Sequence, residues 1–89
     1  MLSEKIEIIN KLGLHARAAA KFVGTATRFE SKITIAKDGK AVDGKSIMSV
    51  MMLAASVGSV VEVTTEGPDE EDAMTAIRDL INDRFGEGE

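Results

Sequence analysis

The chain has 89 residues, no cysteine, a single histidine and a formal net charge of −4 at neutral pH. That length supports one modest core, so residues 1–89 are read as a single domain, and the missing thiols exclude disulfide frameworks, thiolate metal sites and cysteine nucleophiles. The acidic balance and the three phenylalanines, the only aromatic rings besides the imidazole, count against nucleic acid, which calls for a basic face and stacking rings.

Leu2, Ile6 and Ile8 share one parity, with Ser3, Lys5 and Glu7 on the other, and this period of two predicts a half-buried strand from Leu2 to Ile9. The alternation leaves no apolar block at the N-terminus, and no apolar run approaches a membrane span, so a cytoplasmic protein with no membrane partner is expected. Asn10 to Gly13 is a loop. Ala16, Ala19, Ala20, Val23 and Ala26 then recur at helical spacing in an alanine-rich stretch, predicting a helix from Ala16 to about Thr27 that begins directly after His15. Ser31 to Ala36 alternates around Ile33 and Ile35, Lys37-Asp38-Gly39-Lys40 carries an Asp-Gly turn signal, and Ala41 to Asp43 returns as a hairpin. Ser46 is a good N-cap for a short helix through Ile47, Met48, Val50, Met51, Met52 and Leu53. After the loop ending at Gly58, Ser59 to Thr65 sets Val61 and Val63 against Val60, Glu62 and Thr64, a fourth strand broken by Glu66-Gly67-Pro68. Asp69 is expected to cap an acidic first turn, and Ala73, Met74, Ile77, Leu80 and Ile81 mark an amphipathic helix to about Arg84, with Gly86 to Glu89 frayed.

The order is strand, helix, strand, strand, helix, strand, helix. One-sided helices and half-apolar strands pack most simply as two layers, three helices covering one face of a four-stranded antiparallel sheet, an α+β sandwich.

His15 is the first candidate for chemistry. It could be a tolerated residue at a cap position with no role. Alternatively, the free amides and partial positive charge of a helix start form an anion site and disfavour the protonated ring, leaving a neutral, nucleophilic imidazole. A phosphoryl group would then meet the amides of Ala16 and Arg17, with the Arg17 guanidinium neutralising it through a forked hydrogen bond. Gly13 serves either as a flexible residue that lets the loop fold close to the site or as a plain turn glycine.

The string Gly13-Leu14-His15-Ala16-Arg17, with Gly44-Lys45-Ser46-Ile47-Met48, resembles the HPr family, the histidine-containing phosphocarriers of the bacterial phosphoenolpyruvate-dependent phosphotransferase system. The similarity spans essentially the whole chain, and two separate motifs make it specific. The resemblance implies an open-faced sandwich that accepts a phosphoryl group from phosphorylated enzyme I on Nδ1 of His15 and passes it to an enzyme IIA domain. It also implies regulatory phosphorylation of Ser46 by an ATP-dependent HPr serine kinase/phosphorylase, which slows transfer from enzyme I and in some bacteria creates a co-repressor. Two departures stand out. Ala18 replaces the proline of most members, which is favoured but not needed in a first helical turn. Lys11-Leu12, where many sugar-pathway members have a small polar residue at the second position, is closer to the nitrogen-related NPr branch, as is the ending LINDRFGEGE; Ser46-Ile47-Met48 leans towards the serine-kinase-controlled proteins.

Ser46 can be a cap and a modification site at once, because a dianion at a helix N-terminus is electrostatically well placed. Its main effect would be on docking, repelling an acidic partner or attracting a basic one. Of Ile47, Met48, Met51 and Met52, at least two are expected to pack on the sheet. Consecutive apolar residues cannot all face inward, so Ile47 and Met48, with Met51 beside them, are expected to form an exposed docking patch near His15 and Arg17. Lys21, Lys45 and Arg28 could supply a basic rim.

One histidine and no cysteine leave no convincing metal site, and no cofactor is implied. Nor is there a second base or activated nucleophile for a self-contained enzyme, whereas a carrier needs only a nucleophile and an anion cradle. A regulatory binding module acting through the Ser46 surface is the competing reading, and substituting His15 separates the two. A carrier that shuttles between partners is expected to be monomeric.

Overall fold

The alternation seen in the sequence builds a sheet with one wet face. In the computed structural model, which describes residues 1–88, the strands are β1 (Leu2–Glu7), β2 (Lys32–Lys37), β3 (Lys40–Asp43) and β4 (Val60–Glu66). The helices are α1 (Ala16–Ala26), α2 (Ile47–Met52) and α3 (Glu70–Asn82), followed by a 3₁₀ turn at Arg84–Gly86. The strands form a single antiparallel sheet in the order β1-β4-β2-β3, with Ile6 opposite Val61 and Val63 opposite Ile35. Ile6, Ile33, Ile35, Val61, Val63 and Thr65 are buried on the inner face, while Lys5, Glu7, Val60 and Glu62 are exposed on the other. This is the open-faced two-layer α+β arrangement expected from the alternating element types.

The core joins that inner face to Ala18, Ala19, Phe22, Val23 and Ala26 of α1 and to Ala73, Met74, Ile77 and Ile81 of α3. Each fully buried aliphatic side chain contributes about 1.5–3 kcal/mol relative to exposure, so the helices are held chiefly by these faces. The strands β2 and β3 meet through a tight turn. Asp38 (φ 52°) and Gly39 (φ 83°) occupy the left-handed region that a two-residue hairpin turn requires.

The structure differs from the predicted elements in four places. The first strand ends at Glu7 rather than Ile9, although the Ile8 amide still donates to the Ser59 carbonyl (2.8 Å) and Ile8 is fully buried. Asp69 precedes α3 but makes no side-chain cap. Its carboxylate instead accepts from the amides of Glu30 and Ser31 (2.9 Å each) and from Ser31 Oγ (2.5 Å), tying the start of α3 to the approach to β2. Ile47, Met48, Met51 and Met52, at least two of which are expected to pack on the sheet, are all exposed; α2 buries only Val50, and the Leu53 that follows it is also buried. Six helical residues present too narrow a face to bury more.

The fourth difference is the ending: the helix expected to run to about Arg84 stops at Asn82, and the tail from Gly86, expected to be frayed, is anchored. Phe85 is fully buried, with its carbonyl accepting from Lys21 Nζ at 2.6 Å. That anchor brings Glu87 back onto α1; Glu89 lies outside the described residues.

Candidate functional site

His15 is the N-cap of α1, in extended conformation (φ −77°, ψ −179°), and its carbonyl accepts the first helical bond from the Ala19 amide (2.8 Å). The ring folds over the helix start, so that Nδ1 accepts a hydrogen bond from the Arg17 amide at 3.2 Å. A nitrogen that accepts from an amide carries a lone pair and no proton. The ring's proton is therefore assigned to the other nitrogen, Nε2, which meets the Glu87 carboxylate.

The preceding loop does fold close to the site, and tightly. Gly13 has φ +69°, and a Cβ there would stand 2.5 Å from the Ala55 carbonyl oxygen and 2.8 Å from Ser56 Cα. The Leu14 amide donates to that same Ala55 oxygen (2.8 Å), and Leu14 is buried. Only a residue without a side chain admits this approach of two backbones, which locks His15 at the helix start.

Asn10, fully buried, donates through Nδ2 to the Gly13 carbonyl (2.8 Å) and to Glu87 Oε1 (3.0 Å), while its Oδ1 has no partner among the described residues. Burial alone would raise the Glu87 pKa, but the hydrogen bonds from Asn10 and His15 and the electrostatic influence of His15 and Lys21 hold it below the usual carboxylate range. Glu87 thus presents a carboxylate to the Nε2 side of the ring.

The His15 side chain is 28% exposed and lies in an open cavity of about 600 Å³ lined by Lys11, Leu12, His15, Ala16, Arg17, Lys21, Gly86 and Glu87. Three cationic side chains against one carboxylate, at a helix start, suit an anion of phosphate size. Of the predicted site residues, His15, Ala16 and Arg17 come together here. No α2 side chain lines this cavity. Ile47 (42%), Met48 (70%) and Met51 (38%) are exposed on the neighbouring helix, which packs against α1. Ser46 caps α2, its Oγ accepting from the Ser49 amide at 3.3 Å.

The expected basic rim is only partly present. Lys21 lines the cavity, but Lys45 donates to the Phe29 carbonyl (2.7 Å) and Arg28 sits over the Phe29 ring (5.7 Å to its centroid), beyond the far end of α1. An eleven-residue helix separates those ends by about 16 Å. Lys11 takes the place they were expected to fill. Sequence reasoning missed Asn10 and Glu87 as site residues; the signal available was Phe85, a lone large apolar residue in a polar ending, which had to be buried somewhere. Among the described residues no group of three or more histidine, aspartate or glutamate side chains is placed to hold a metal ion.

The family model described as "PTS HPr component phosphorylation site" matches residues 2–83. Curated relatives include the phosphocarrier protein HPr of Neisseria meningitidis, 58% identical over the full length of both chains. That of Pseudomonas aeruginosa is 56% identical over 96% of each. Among solved structures, HPr from Thermoanaerobacter tengcongensis superposes with a TM-score of 0.95 at 54% identity over 98% of both chains.

Proposed function

The chain belongs to the PTS-HPr family, and from that premise we propose that it takes a phosphoryl group from phosphorylated enzyme I onto Nδ1 of His15 and passes it to an enzyme IIA domain. The observation that carries this is the ring's hydrogen bonding: Nδ1 faces the Arg17 amide with its lone pair free of a proton, inside a cavity lined by Lys11, Arg17 and Lys21. The lone pair of Nδ1 attacks phosphorus, the bond from phosphorus to the donor breaks, and its electron pair leaves with the donor. No proton has to depart from Nδ1. The Arg17 amide, released from the ring nitrogen, turns to a phosphoryl oxygen together with the Ala16 amide, and the Arg17 guanidinium offsets the dianion's charge. Transfer onward is the same displacement with the roles reversed. The protein is a carrier whose partners supply the rest of the catalysis, working as a cytoplasmic monomer.

Regulation at Ser46 is the second part of the proposal. Its hydroxyl caps α2 beside the exposed Ile47, Met48 and Met51, so phosphorylation by an ATP-dependent serine kinase changes the charge of a docking surface without unfolding the domain.

Intact-protein mass spectrometry after incubation with phosphoenolpyruvate, Mg²⁺ and enzyme I tests the carrier role. One acid-labile phosphoryl group, absent in His15→Ala, is expected. The faster donor of sugar-type and nitrogen-type enzyme I assigns the branch. No uptake from either by the folded protein overturns the carrier role and leaves the Ser46 surface as the function.

A further inference from the structure

We propose that Glu87 is a positioning residue for the phosphoryl acceptor: by receiving the Nε2 proton of His15 in a hydrogen bond it holds the tautomer in which Nδ1 is the nucleophile. The inference rests on the carrier function above and adds a residue to it.

A neutral imidazole has two tautomers, and only the one protonated on Nε2 leaves Nδ1 able to attack. Two contacts select that tautomer from opposite sides of the ring. The Arg17 amide donates to Nδ1, and the Glu87 carboxylate, an acceptor only, faces Nε2. The amide belongs to the helix start and is available to any histidine at an N-cap. The carboxylate is a separate device, and three features build it. Phe85 is fully buried and fixes the chain two residues earlier. Lys21 Nζ holds the Phe85 carbonyl at 2.6 Å. The buried Asn10 amide donates to Glu87 Oε1 at 3.0 Å, leaving Oε2 to face the ring. With its side chain only 12% exposed, Glu87 is not competing with bulk water for its partners.

The same contact serves the product. When Nδ1 donates its electron pair to phosphorus and the donor departs with the pair of the broken bond, the ring keeps its Nε2 proton and gains positive charge. A carboxylate on that N–H stabilises the charged phosphoimidazole as it forms, as a carboxylate behind a metal-bound histidine does.

The test compares the unmodified chain with Glu87→Ala and Glu87→Gln by two readouts. Ring ¹⁵N chemical shifts of His15 report the tautomer directly. Phosphoryl uptake from enzyme I reports the rate. In the unmodified chain, the Nε2–H tautomer dominates the neutral ring. Glu87→Ala is expected to give a mixture of tautomers and to slow uptake about ten- to a hundredfold, the range found when partners behind a ligating histidine are removed. Glu87→Gln keeps a neutral acceptor and should restore the tautomer more than the rate. Neither substitution changes an apolar core residue, and amide spectra of the rest of the chain, Asn10 included, confirm the fold. If either readout is unmoved in Glu87→Ala, the role of Glu87 is overturned while the carrier function stands. If the unmodified chain takes up no phosphoryl group, the carrier function falls, and the role of Glu87 in it falls with it.

Discussion

The backbone amide of Arg17 donates to Nδ1 of His15 across 3.2 Å, so the helix start that positions the imidazole also holds, in one N–H, the group that the proposed transfer would turn to the incoming phosphate. The guanidinium of the same residue acts separately. Replacing Arg17 by alanine keeps the amide and removes the charge. Arg17→Ala should therefore still be phosphorylated, but about ten- to a hundredfold more slowly, the loss expected for one charge-assisted contact to a transferring group. Arg17→Lys should recover part of the rate because lysine supplies charge without the fork. Single-turnover uptake from enzyme I measures both.

Gly13 is required by a backbone approach rather than by mobility. Gly13→Ala places a methyl 2.5 Å from the Ala55 carbonyl oxygen at a φ of +69°. One of the two backbones must move, and with it the Leu14 amide bond that seats His15. A loss of about 2 kcal/mol is expected. For a domain of this size that corresponds to a Tm lower by roughly 10 °C, read by thermal melting followed by circular dichroism.

Most of the fold was legible because it rests on local periodicity. Leu2, Ile6 and Ile8 had to share a face, Asp38-Gly39 had to turn, and the alanines after His15 had to form a helix. What failed to show depends on contacts between distant segments. Asp69 looks like a helix cap in sequence because cap position and residue type agree, yet Glu30 and Ser31 lie in three dimensions where they claim its carboxylate. Gly86 to Glu87 reads as a polar ending until Phe85 is seen in the core, and only then does Glu87 reach His15. His15, Ala16 and Arg17 were readable together because a helix start collects them locally; Asn10 and Glu87 join them only through the tertiary fold.

Asp69 gives the domain an acid-sensitive tie. The hydrogen bond from Ser31 Oγ, then those from the Glu30 and Ser31 amides, keep its pKa below the ordinary value despite an opposing contribution from burial. A carboxylate with a depressed folded value adds stability that is fully present above its unfolded value, about pH 4, and is lost as pH falls through the folded value. Asp69→Asn should therefore be less stable than the unmodified chain at pH 7, and the difference should shrink steadily below pH 4. Urea unfolding at pH 7, 4 and 3 checks the sign; a difference that grows on acidification would contradict it.

Helix α2 separates stability from surface chemistry residue by residue. Val50 is fully buried and Met48 is 70% exposed, so Val50→Ala should cost about 2 kcal/mol, whereas Met48→Gln should stay within about 0.5 kcal/mol of the unmodified chain. Ser46 falls between them. Its Oγ accepts from the Ser49 amide at 3.3 Å, a long contact, so Ser46→Ala should cost about 0.5–1 kcal/mol, the low end of the capping range. Denaturant unfolding ranks the three. Uptake of a phosphoryl group on His15 should be insensitive to Ser46→Ala, because the hydroxyl lines no part of the His15 cavity. Met48→Gln, in contrast, should weaken the complex with enzyme I while leaving the fold intact, since in the proposed docking role the exposed methionine supplies apolar area to the partner and almost none to the core. Titration calorimetry with enzyme I distinguishes the two: an affinity unchanged by Met48→Gln would remove α2 from the docking surface.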